Sequence, residues 1–156
     1  MIHVKRPTKE QLREVATLFD AYRVFYKKDS DLEAAYQFLY ERFTKKESVV
    51  FVAETKDELI GFTQLYPLFS STNLRPLWLL NDLFVAGEHR GNGVSKLLLH
   101  AAQEHCVLSQ AQGIMLETEK TNLQGNALYP KMNFVLDQAH NFYFWNNPSL
   151  SSSQSK

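Results

Sequence analysis

The 156-residue sequence contains a single cysteine, Cys106, so no disulfide can form within the chain and no cysteine-based metal site can be assembled. It has no apolar run near the ~20 residues that a membrane-crossing helix needs. It has no excess of charge either. Lys plus Arg and Asp plus Glu each number 17, whereas a nucleic-acid-binding domain shows a basic surplus. Residues 1–7 lack the apolar stretch of a secretory leader. The five histidines are scattered, without metal-ligand spacing. These absences lead to the expectation of a soluble, cytoplasmic protein with no metal and no nucleic-acid or membrane partner. What the chain does have is apolar mass. It is 44% hydrophobic and 13% aromatic, too rich in core-forming residues for intrinsic disorder. The length suits one domain, expected over 1–148, followed by a serine-rich tail over 149–156 expected to be disordered.

The spacing of apolar residues orders the chain. Residues 2–5 alternate as a short strand, which Pro7 stops. Thr8 and Gln11 have capping-box spacing. Leu12, Val15, Ala16, Phe19 and Tyr22 then recur at helical intervals, predicting a helix over about 9–26. A second capping box at Ser30 and Glu33 precedes the stripe Leu32, Ala35, Tyr36, Leu39 and Phe43. From Ser48 the period shortens, and 49–53 and 59–65 read as a hairpin. Gly61 inside it marks a bulge or a close approach. Residues 77–85 form a mostly apolar strand, expected to be buried on both faces. A glycine-bearing loop at 87–93 opens a helix that ends before Gly113. A strand at 114–118, a short helix at 123–132 and strands at 134–136 and 142–145 complete the pattern. The order βααβββαβαββ defines an α/β domain with a mixed sheet.

The strongest local feature is Arg90-Gly91-Asn92-Gly93-Val94-Ser95-Lys96, lying between a strand and a helix. Small residues let successive backbone N–H groups turn inward, and the helix N-terminus adds partial positive charge, so the segment suits a phosphate. A Walker A loop needs Lys and Ser or Thr directly after its last glycine, and Val94 follows here. A dinucleotide fingerprint needs a third glycine where Lys96 stands, although Glu117 could imitate its ribose-binding acid. An ordinary helix-entry loop is the plain alternative.

The same residues resemble the hallmark of the GNAT superfamily of acetyl-CoA-dependent N-acetyltransferases, Gln/Arg-x-x-Gly-x-Gly/Ala, with Ser95 as the small final residue. A second block, Asn122 followed by Ala127-Leu128-Tyr129-Pro130-Lys131-Met132-Asn133-Phe134, is similar to that family's Asn…Ala-Leu-Tyr-x-Lys-x-Gly-Phe pattern. Asn133 replaces the usual glycine, and Asn is the next-best residue for a left-handed helix end. The separation of the blocks and the element order match the family across nearly the whole chain.

The resemblance implies a GNAT-like mixed sheet whose fourth and fifth strands splay around acetyl-CoA. It assigns the pyrophosphate to Arg90, Gly91, Asn92, Gly93, Val94, Ser95 and Lys96, mostly through backbone N–H groups, with Lys131 of the second block also on the cofactor. It assigns the pantetheine arm to Leu83, Phe84 and Val85, where a bulge would splay the strand, and to Asn122. Tyr129 stands at the general-acid position, protonating the departing thiolate. An alkyl ammonium has a pKa near ~10 and must lose a proton before attack. Asp82 and Glu117, each placed in an apolar strand, are the candidates to take it. A backbone N–H near Val85 would hold the oxyanion of the tetrahedral intermediate.

On the acceptor side the resemblance places the first two helices and the third strand. These hold Tyr22, Phe25, Tyr26, Tyr36, Tyr40, Tyr66 and Phe69, which suit a cation. Asp20, Asp29, Asp31 and Glu33 would favour a polyamine, whereas Arg23, Arg42 and Arg75 would clamp a carboxylate. The expected activity is direct acetyl transfer to a primary amine of a small molecule. A protein acetyltransferase and a non-catalytic acetyl-CoA-binding module are the alternatives. A homodimer is the family's habit, with Phe142-Tyr143-Phe144-Trp145 a candidate interface.

Overall fold

A computed structural model describes residues 1–150. Its strands are β1 (His3–Lys5), β2 (Val49–Glu54), β3 (Leu59–Ser70), β4 (Arg75–Val85) and β5 (Ile114–Met115). Its α-helices are α1 (Leu12–Phe25), α2 (Leu32–Thr44), α3 (Val94–Leu108) and α4 (Leu123–Lys131), with short 3₁₀ turns at Lys9–Gln11 and Gly87–His89. The five strands lie in sequence order in one sheet. The first four pair antiparallel; β4 and β5 run parallel, and α3 is the crossover between them.

Alternation along β2 divides the core. Val50 and Val52 face α1 and α2, meeting Val15, Phe19, Ala35, Leu39 and Phe62. Val49 and Ala53 face α3, against Leu98, Leu99 and Ala102. Two irregularities change which face a residue takes. Glu54 pairs with Leu59 but Ala53 with Gly61, so Ile60 is an extra residue in β3. Gln64 pairs with Asp82 but Leu65 with Leu80, so Asn81 is an extra residue in β4. A bulge of this kind inverts the side-chain parity beyond it. Leu80 therefore packs towards α3, while Asp82 turns to the α1 face beside Gln64.

The bulge at Asn81 falls just after the last β4–β5 pair, Leu79 with Met115. The two strands separate from there, as expected, although the bulge precedes Leu83–Val85 instead of lying within it. Several expectations are corrected. β5 stops at Met115, because past the bulge it has no neighbour to ladder with, and Glu117 lies outside it and is exposed. Residues 134–136 and 142–145 form no strands. Phe134 packs on Tyr129, but Val135 is 92% exposed and Tyr143 90% exposed, so this stretch leaves the body of the domain. β4 is only partly buried. The cap of α2 is Asp31, whose side chain accepts from Ala34 N at 3.0 Å, while Ser30 bonds Asp20 instead. The tail expected over 149–156 lies, from residue 151 on, outside the described residues.

Candidate active site

A cleft of about 430 Å³ opens where β4 and β5 part. Leu83, Phe84 and Val85 form one wall, and Asn122, Leu128 and Tyr129 of the α4 segment form the other. The last turns of α1 close it with Tyr22, Phe25 and Tyr26. A second hollow of about 460 Å³ shares Phe25, Tyr26, Asn122 and Gln124 with the first and adds Lys27 and Glu119.

One end of the cleft is built for an anion. Gly91 and Gly93 have φ of +80° and +78°, which a side chain would strain, although a Cβ on either would meet open space. Gly93 is the N-cap of α3, and no side chain caps that helix, so the first-turn N–H groups remain for a ligand. That turn carries no acid and carries Lys96, against the preference set by the helix dipole. A helix entered this way is poorly satisfied alone and well satisfied by a phosphate. Lys131 from α4 and His89 also line the cleft.

Not every expected donor takes part. Arg90 N–H donates to Gly87 O at 3.3 Å, and Arg90 Nε donates to Val85 O at 2.9 Å. Its guanidinium lies 5.4 Å from the ring centres of both Phe25 and Phe84, joining the loop to the aromatic end of the cleft. Asn92 does not line the cleft; its Nδ2 donates to His89 O at 3.4 Å. Asn122 does line it, but its side chain is engaged as the N-cap of α4. Oδ1 accepts from Gly125 N at 3.1 Å, and Nδ2 donates to Thr118 Oγ1 at 2.9 Å. A Cβ on Gly125 would sit 2.6 Å from Asn122 Nδ2, so Gly125 protects this cap.

Tyr129 is half-buried in the cleft wall, its ring 5.8 Å from Phe134. Burial and the neighbouring Tyr26 push its phenol up to about 12, so it stays protonated at neutral pH and can donate a proton. Asp82 is 2% exposed and does not line the cleft. Gln64 Nε2 donates to Asp82 Oδ2 at 2.8 Å and Asn81 Nδ2 to Oδ1 at 3.1 Å. Burial raises its pKa above the usual carboxylate range, and the bonds from Gln64 and Asn81 only partly offset this. Glu117, the other candidate base, is exposed and lines neither hollow.

The charged residues weighed for acceptor choice are elsewhere. Asp20 accepts from Ser30 Oγ at 2.6 Å and Asp31 N at 2.8 Å, fastening the α1–α2 turn. Arg23 bonds Asp20 and Asp29 O, Glu33 pairs with Arg13, and Arg42 pairs with Glu41 and Glu47. Of the aromatic set, Tyr22, Phe25 and Tyr26 reach the cleft. The Tyr36 and Tyr40 rings lie 5.8 Å apart at a tilt of 38°, and Phe69 is 82% exposed. Gln64 was missed by the sequence reading, and its signal was an amide beside Thr63 in a mostly apolar strand. Among the described residues, no group of three or more His, Cys, Asp or Glu could hold a metal ion. No helix among them is long and apolar enough to cross a membrane.

A mixed sheet parted beside a helix N-terminus that suits phosphate is the arrangement that the family resemblance implies for an acetyl-CoA site. The profile of the Acetyltransferase (GNAT) family matches residues 13–134. The chain is 36% identical over 148 residues to an uncharacterized N-acetyltransferase, YhfO, of Bacillus subtilis, covering 95% of this chain and 99% of that one. A probable acetyltransferase of Haemophilus influenzae is 32% identical over 101 residues, covering 64% of this chain and 69% of that one. A crystal structure of a probable acetyltransferase superposes with a TM-score of 0.87 at 36% identity, over 92% of this chain and 96% of that one. The chain belongs to the GNAT family and is an acetyl-CoA-dependent N-acetyltransferase. The fold extends to distant members. AAC(6')-Iy, solved with the bisubstrate analog CoA-S-monomethyl-acetylneamine, superposes with a TM-score of 0.78 at 18% identity, over 94% of this chain and 99% of that one.

Proposed function

We propose that the protein transfers the acetyl group of acetyl-CoA directly to a primary amine of a small molecule. The observation that carries this is a single cleft lined both by the glycine loop with the uncapped first turn of α3 and by Tyr22, Phe25 and Tyr26. Its volume is within the range of small-molecule sites. In this reading the first-turn N–H groups of α3, with Lys96 and Lys131, hold the pyrophosphate. Leu83, Phe84 and Val85 hold the pantetheine arm, Asn122 flanks it, and Tyr129 protonates the departing sulfur. Tyr22, Phe25 and Tyr26 receive the acceptor as a cation. Asp82, and not the exposed Glu117, is the group we assign to proton removal.

Calorimetric titration with acetyl-CoA, using NAD and ATP as controls, tests the cofactor end. Saturable heat with acetyl-CoA alone is expected. No such binding would sink the reading. Thiol release with a panel of small amines, lysine peptides and N-terminal peptides then tests the acceptor. Turnover confined to the peptides would replace the small-molecule reading with a protein acetyltransferase.

We further infer a homodimer in the cytoplasm. The single thiol suits a reducing compartment. Val135, Leu136, Phe142, Tyr143 and Trp145 are 73% exposed or more on a stretch that leaves the domain, and a second copy is the partner that such an apolar arm fits. Light scattering after size exclusion should give twice the chain mass. A monomer at tens of micromolar would end that proposal.

A further inference from the structure

The second hollow adjoins the cleft, since Phe25, Tyr26, Asn122 and Gln124 line both. An acceptor whose amine meets the thioester in the cleft has room to extend into it. Two turns set its opposite sides. On one side α1 ends at Phe25, and Lys27 takes a φ of +64°. Lys27 N donates to Val24 O at 2.9 Å and Lys28 N to Arg23 O at 3.0 Å, which closes the helix end. Glycine is the usual residue in that left-handed place, so the chain keeps a lysine side chain there at a cost in backbone strain. On the other side Asn122 N donates to Glu119 O at 3.0 Å, and Asn126 Nδ2 donates to the same oxygen at 2.9 Å. The backbone of Glu119 is thus fastened. Its carboxylate accepts from Thr121 Oγ1 at 3.3 Å.

The lining offers three kinds of surface. Phe25, Tyr26 and Leu123 are exposed apolar side chains gathered in one concave place, which suits a short hydrocarbon chain. Lys27 brings an ammonium and Glu119 a carboxylate, and among the described residues neither is held in an ion pair. A plain diamine would satisfy Glu119 and leave Lys27 facing a cation. A plain carboxylic acid would do the reverse. A group with an ammonium and a carboxylate on one carbon satisfies both.

We propose that this hollow holds the α-amino acid head of a diamino acid, with Glu119 on its ammonium and Lys27 on its carboxylate. The side-chain amine enters the cleft past Phe25 and Tyr26 and is the group acetylated, and the methylene chain lies on the two rings. In the transfer the C–N bond forms and the thioester C–S bond breaks. The sulfur leaves as a thiol with one proton, and the neutral amine nitrogen loses one. The inference rests on the amine-acetylating reading above and narrows its acceptor.

The test is kcat/KM, by thiol release, for three matched sets of acceptors. L-ornithine and L-lysine carry the whole head, putrescine and cadaverine lack its carboxylate, and n-butylamine and n-pentylamine lack both charged groups. The better diamino acid should exceed its matched diamine by about 10-fold and its monoamine by more. Lys27→Met should abolish the first preference, and Lys27→Arg should largely keep it. Glu119→Gln should lower the diamino acid and the diamine by about 10-fold relative to the monoamine. Mass spectrometry of the product should place the acetyl group on the side-chain nitrogen. Tm is measured for each variant, so that a loss from damage to the fold is separated from a loss of preference. Acetylation at the α-nitrogen would overturn the proposal, as would variants that slow all three acceptors alike. Turnover with no preference for the diamino acid would end this inference and leave the amine-acetylating reading standing. Absence of turnover with every amine would remove both.

Discussion

Tyr129 and Asp20 show how one side chain's surroundings decide its use. The Tyr129 phenol, raised to about 12 by burial, is protonated throughout the neutral range. Tyr129→Phe keeps the ring on Phe134 and removes only the hydroxyl. We expect kcat to fall by about 10²-fold or more with acetyl-CoA affinity retained, measured by thiol release and calorimetry. Asp20 is the opposite case. The Ser30 hydroxyl foremost, with Asp31 N and Arg23, holds its carboxyl below the ordinary range. A depressed carboxyl contributes stability that is present above its unfolded pKa of ~3.9 and is lost as pH falls through the folded value. Asp20→Asn should therefore lower Tm near neutral pH, and the gap from the unaltered protein should narrow in acid. A gap that persists unchanged at low pH would mean that the loss is steric and not one of charge. The proton-donor role of Tyr129 was expected from the family resemblance, whereas Asp20 is one of several acids beside α1 in the sequence, and only the folded α1–α2 turn singles it out.

Elements were legible where a residue type is forced. The small residues before α3 were read as letting backbone N–H groups turn inward, and Gly91 and Gly93 take positive φ there. Gly61 was read as a bulge or a close approach, and both occur there. Ile60 is the extra residue, and a Cβ on Gly61 would stand 2.9 Å from Phe84 O and 3.3 Å from Leu98 Cδ1. Gly61→Ala pushes a methyl against the backbone of β4, so it should cost about 1–3 kcal/mol. Differential scanning calorimetry would read this as a drop in Tm of about 2–4 °C per kcal/mol. An unchanged Tm would show that β3 and β4 can move apart freely. The bulge at Asn81 had no such signature, because any residue can be the extra one. The consequence, Asp82 on the α1 face, could not be reached by counting along the strand. The absent final strands failed for a related reason. The aromatic run at 142–145 supplies the propensity, but a strand needs a paired edge, and past Met115 β5 offers none among the described residues.

The molecule as a whole is neutral, yet its charges are sorted. Arg90, Lys96, Lys131 and His89 all line the cleft, while the acids Asp20, Glu33 and Asp82 do not. Net charge alone concealed this, since equal totals say nothing of placement. The sole cysteine has a practical meaning for any assay that counts liberated CoA with a thiol-reactive dye. Cys106 is half-buried on α3, its Sγ 4.0 Å from Ala111 O, and burial raises its pKa, so little of it is thiolate at neutral pH. The native protein should react slowly with such a dye, and the denatured chain should give one equivalent at once. A fast full equivalent from the native protein would show that α3 opens readily at its C-terminal end. The enzyme thus carries its own internal standard, a blank of at most one thiol per chain against which every turnover can be counted.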